Sequence, residues 1–121
     1  MRKLSLVTAL LFSLAACRSN TSKDGILVAD SMKVVMWDMM RADEVYLRMT
    51  AKDSTAAKRK ENIRLYEQVF AIHGITKKQF DSSYRYYASH PTDFKRLLDS
   101  LDNFATRERS RLFEKKYSEP K

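Results

Sequence analysis

The chain has 121 residues, 44% of them apolar, and 23 Lys and Arg against 15 Asp and Glu give a formal charge of +8. Two Gly and two Pro are too few for the tight turns of a β-sandwich, a dinucleotide-binding crossover or a P-loop, which leaves one small all-α domain. A single Cys excludes a disulfide framework, and one Cys with two distant His cannot make a four-ligand zinc site without help from carboxylates, so neither a metal nor a cofactor is expected.

In chain order, residues 1–16 come first: a basic start at Arg2 and Lys3, an apolar run from Leu4 to Leu14, and the small pair Ala15-Ala16. This is the pattern of a secretory signal peptide. The run spans roughly 16 Å as a helix, whereas a bilayer core takes about 20 residues, so it is too short to cross a membrane. Leu14-Ala15-Ala16-Cys17 resembles the lipobox of bacterial lipoproteins, which implies cleavage before Cys17 and acylation of its thiol. The alternative is an ordinary cleaved leader with an incidental Cys. Chemistry argues for acylation, because a lone exported thiol would mispair in an oxidising compartment. Cys17 is therefore the expected lipidation site and membrane attachment. Without Arg2 and Lys3 the chain keeps 21 basic against 15 acidic side chains, and export removes nucleic acid as a partner for that excess.

From Arg18 to about Ala29 the composition is that of a flexible tether ending in the apolar patch Ile26-Leu27-Val28. That patch either docks on the domain as a clip or simply precedes the first helix. The first helix is expected to start on Asp30 or Ser31 as N-cap and to run to about Met49. Met32, Val35, Met36, Met39 and Tyr46 form its inner face, broadened by Val34, Trp37 and Met40. A polar loop over 51–57 leads to a second helix from Thr55 or Lys58 to His73, with Ile63, Tyr66, Val69 and Phe70 inward. Gly74 sits where a helix terminus favours positive φ. Thr76-Lys77-Lys78-Gln79 matches a capping box, with Ile75 and Phe80 placed for a hydrophobic staple. The third helix ends by His90 because Pro91 disfavours helical geometry before it, and Pro91 opens the fourth helix. Phe94, Leu97, Leu98, Leu101, Phe104 and Ala105 make the fourth helix the clearest amphipathic stripe, continuing to about Tyr117. The resulting organisation is a leader over 1–16, an acylated Cys and tether over 17–29, a bundle of about four helices over 30–118, and a tail over 119–121.

The stretch from Tyr66 to Leu101 carries Tyr66, Phe70, His73-Gly74-Ile75-Thr76, Phe80, Ser83, Tyr86-Tyr87 and His90-Pro91 followed by Phe94. This pattern resembles a bacterial lipoprotein family called domain of unknown function 4296, found chiefly in Bacteroidetes. A looser match is Asp38-Met39-Met40-Arg41-Ala42-Asp43-Glu44, with Met40 where the family pattern has His. The resemblance implies a lipoprotein with a helical fold in a Gram-negative envelope, and assigns no activity. Arg18 to Ser22 lack an acidic cluster resembling a surface-export signal, so the periplasmic face of the outer membrane is the expected location.

Two function classes follow. The first is a non-enzymatic envelope module that binds another envelope protein. Its candidate surface is Tyr86 together with Arg107, Arg111 and Lys115, which share one face of the fourth helix. The second is a small enzyme or lipid- or glycan-binding carrier using Asp38, Tyr86 and His90. Against catalysis, Asp38 and Asp43 lie about 140° apart around their helix, and no catalytic residue is assigned. Asp38 is expected to take a hydrogen bond from Tyr86 or Tyr87, or to meet His90. His73 is expected to meet the last carbonyls of its own helix, and His90 to cap the fourth. Tyr84 and Tyr87 are expected in the core, with Tyr86 exposed.

Overall fold

A computed structural model describes residues 21–118 apart from Lys23. The expected leader, the acylation at Cys17 and the tail over 119–121 lie outside the described residues. Those residues form four α-helices: α1 (Ala29–Lys52), α2 (Glu61–His73), α3 (Lys77–Ser89) and α4 (Pro91–Ser118), with a short 3-10 turn at Ser54–Ala56. None of these helices is long and apolar enough to cross a membrane.

The all-α architecture agrees with the sequence, and the local signals explain most boundaries. Gly74 has φ 62°, the Ile75 amide donates to the Phe70 carbonyl at 3.0 Å, and the Gly74 amide donates to the Ala71 carbonyl at 3.1 Å. This is the Schellman pattern that satisfies carbonyls left open at a helix end. Two residues later the Thr76 hydroxyl accepts from the Gln79 amide at 3.0 Å and starts α3. The capping box is only half formed, because the Gln79 side chain donates to the Gly25 carbonyl instead of folding back. Pro91 opens α4 as expected, and the helix is continuous to Ser118, about 42 Å at 1.5 Å per residue.

Two starts differ from expectation. Helix α1 begins at Ala29, ahead of Asp30 and Ser31. Its N-cap position is Val28, which offers no side-chain bond, and Asp30 in the first turn instead pairs with Lys33. Helix α2 begins at Glu61, later than Thr55 or Lys58, because Lys60 takes a left-handed conformation with φ 54°. Asp53 holds the turn before it, accepting from Thr55 and Arg59, and these bonds lower its carboxyl pKa to about 2.

The apolar patch docks. Leu27 is 1% exposed, within a core of Met32, Val35, Val69, Tyr87 and Leu97. Its amide donates to Ser83 Oγ and its carbonyl accepts from the Tyr87 hydroxyl, both at 2.9 Å. A turn at Gly25 (φ 73°) folds Thr21 back alongside Leu27, so residues 24–29 are a docked segment and not a free tether.

Helix α2 packs antiparallel to α1, as Asp38 meets His73 and Asp43 meets Tyr66. Helices α1 and α4 run in the same direction: Lys33 lies over Phe104, Trp37 packs with Leu101 and Ala105, and Arg109 lies over Trp37. The core is narrower than the apolar stripes suggest. Ile63 at 46%, Leu98 at 41% and Tyr84 at 43% exposure sit on the edges of their stripes, Tyr84 with its ring edge-on to Phe94 of α4, which corrects their inward assignment.

Candidate functional site

The residues singled out from sequence fall in three separate places. Asp38 is on the α1–α2 interface, where its Oδ2 lies 2.8 Å from His73 Nε2 with both side chains partly buried. This replaces the expected partners Tyr86, Tyr87 and His90. It also replaces the expected contact of His73 with its own carbonyls, because α2 packs antiparallel to α1 and brings its last turn level with Asp38. The Tyr87 hydroxyl is taken by Leu27.

Tyr86 and His90 meet at the corner between α3 and α4. Their rings stack with centroids 4.2 Å apart, and His90 Nδ1 lies 2.6 Å from the Tyr86 carbonyl. His90 therefore closes the C-terminal end of α3, and its ring does not cap α4 as expected. Tyr86 is exposed as anticipated and forms one wall of a cleft of about 350 Å³ facing the segment from Ser22 to Ala29. No hydrogen bond joins this corner to Asp38 among the described residues.

Arg107, Arg111 and Lys115 are all exposed on α4, with Arg111 paired to Glu108 at 2.5 Å. Beside them lies a larger feature that this triplet misses. The C-terminal parts of α1 and α4 enclose a groove of about 530 Å³, whose apolar part is Trp37, Val45, Leu112 and Phe113. Its cations are Arg41, Arg48, Arg109 and Lys116, with Glu44 the one carboxylate in the lining. The Arg109 guanidinium covers the Trp37 indole at 5.3 Å, and Lys116 lies 6.0 Å from the Tyr117 ring centre. Glu44 is engaged by Arg48 at 2.5 Å. Arg41 makes no ion pair among the described residues.

A sequence signal for this groove does exist. The buried register of Leu97, Leu101 and Ala105 continues at helical spacing to Arg109, Leu112 and Lys116, so cations occupy positions that face α1. A charge on a core-facing register marks the place where the core ends and a wetter contact begins.

A family model described as Domain of unknown function (DUF4296) matches residues 24–110. No curated protein and no solved structure matches the chain. The matched span includes the docked Leu27 segment, Trp37, Arg41, Arg48 and Arg109, and stops before Phe113 and Lys116.

Proposed function

The chain belongs to the DUF4296 family, and from that premise we propose that it is a non-enzymatic interaction module, held at a bacterial envelope membrane through acylated Cys17, that engages another envelope protein. The observation that carries this reading is the groove between α1 and α4, where aromatic, aliphatic and arginine side chains share one solvent-facing surface. Trp, Tyr and Arg are the residue types that dominate binding energy at protein interfaces. The polar groups considered for catalysis are engaged with one another or with backbone: Asp38 with His73, and His90 with the Tyr86 carbonyl. The lipobox-like Leu14-Ala15-Ala16-Cys17 supports the anchor, since two or three acyl chains give stable membrane residence. Envelope location on the periplasmic face of the outer membrane belongs to the same proposal.

Two measurements test it. Metabolic labelling with a tagged fatty acid should mark the parent and not Cys17→Ala, which should also leave the membrane fraction. Equal labelling and fractionation would overturn the anchor. Photoreactive residues at exposed positions around the domain should give at least one discrete crosslink to a second protein in cells. Absence of crosslinks from every face would overturn the module.

A further inference from the structure

We infer that the groove between α1 and α4 is the seat of an acidic amphipathic helix belonging to a partner protein. This deepens the interaction-module reading and rests on it.

Shape comes first. The groove follows α1 from Trp37 to Arg48, about 16 Å at 1.5 Å per residue, which matches about three turns of a docked helix. Two helices side by side with an apolar floor accept the apolar face of a third helix through anchors at i, i+3, i+4 and i+7. Trp37, buried beneath Arg109, forms the floor, and the apolar surface open to a docked helix is Val45, Leu112 and Phe113.

Charge selects the kind of helix. Among the described residues Arg41, Arg109 and Lys116 converge on the groove without a carboxylate partner, while Glu44 is already paired with Arg48. Carboxylates flanking an apolar stripe would supply the missing counter-charges, and a basic or neutral helix would not. The same charge argues against a second copy of this chain. Residues 107–118 hold five cations against two carboxylates, so pairing that end with itself would bring like charges together. The groove also lies toward the opposite end of α1 from the Leu27 segment, where an acyl anchor would pull.

The test is site-specific photocrosslinking in cells with the full chain, using a photoreactive phenylalanine derivative at Phe113. This side chain is 63% exposed, so its replacement removes little buried area. The same probe at Leu47, exposed outside the groove, is the control. The expected result is a Phe113 product with a second protein, in which the crosslinked segment has Asp and Glu in excess and apolar residues at helical spacing. Arg41→Glu with Arg109→Glu should reduce the product at least tenfold, whereas Arg107→Glu with Arg111→Glu should not. Circular dichroism checks that the variants fold, and Arg41→Gln with Arg109→Gln serves where reversal unfolds the domain. A Phe113 product containing only lipid, a second copy, or a neutral or basic segment overturns the inference, as does no product. Crosslinks from Leu47 or other faces without one from Phe113 would leave the module reading standing and remove the groove from it. No crosslink from any position would remove both.

Discussion

The Tyr87 hydroxyl closes on the Leu27 carbonyl at 2.9 Å across sixty positions of chain, while the Leu27 amide reaches Ser83 Oγ at the same distance. Both polar groups of a buried residue ahead of α1 are thus satisfied by α3, and burial raises the Tyr87 phenol pKa. Tyr87→Phe should cost about 1–3 kcal/mol, because it strands a buried carbonyl. Leu27→Ala should cost about 2–5 kcal/mol through the cavity it leaves. Urea unfolding measures both, and midpoints equal to the parent's would contradict a closed junction.

At Gly74, a Cβ would meet nothing within 4 Å, so the only obstacle to substitution is the positive φ itself. Gly74→Val should destabilise by more than about 1 kcal/mol, or roughly 4–8 °C for a domain of this size. Gly74→Asn should retain most of that stability, since Asn tolerates the left-handed region. Thermal unfolding of the pair separates the two causes: equal losses would point to packing instead of backbone conformation.

The Tyr66 hydroxyl donates to Asp43, and this bond, with burial and the nearby carboxylate, pushes its pKa up to about 12 from 10. A raised value means the native state favours the protonated phenol. The associated stability is complete below pH 10 and disappears as pH rises through 12. The stability difference between the parent and Tyr66→Phe should therefore narrow over that window. Chemical denaturation at several alkaline pH values checks it, and a constant difference would show that the phenol titrates alike in both states.

The two cation sets on α4 should behave differently. Converting Arg107, Arg111 and Lys115 to Gln removes, among the described residues, one exposed pair, Arg111 with Glu108, worth at most about 1 kcal/mol, and should leave the melting temperature nearly unchanged. Trp37 is the chain's one tryptophan, so its fluorescence reports on the groove alone. Arg109→Gln should shift that emission to the red as the indole loses its cover, whereas the triple variant should not move it.

Helix number, the Gly74 turn, the Thr76 cap and the Pro91 start were legible in the sequence, because each depends on residues within one turn of one another. Pairings that depend on how helices are laid together were not. Asp38 and His73 are 35 positions apart, and only the antiparallel packing of α2 on α1 makes them neighbours. Periodicity locates the apolar faces of α2, α3 and α4 but not their widths, so Ile63, Tyr84 and Leu98 read as inward although they sit at exposed stripe edges. The cations of α4 are visible as residues, but the i, i+4 spacing that groups Arg107, Arg111 and Lys115 leaves Arg109 and Lys116 on another face. The parallel course of α1 and α4 turns those two toward Trp37.

The docking of Leu27 has a mechanical consequence. Tension arriving along the chain from its N-terminal side meets the domain at residues 21–28, before it can reach the first turn of α1. There the load passes sideways into α3 through Ser83 and Tyr87, with Gln79 holding Gly25 as a further stay. The junction works as a strain relief: two buried hydrogen bonds to α3 and the Leu27 side chain, packed against both α1 and α3, must give way before traction can peel the segment from α1. Traction on one end of the molecule would then be kept from the Trp37 groove toward the other.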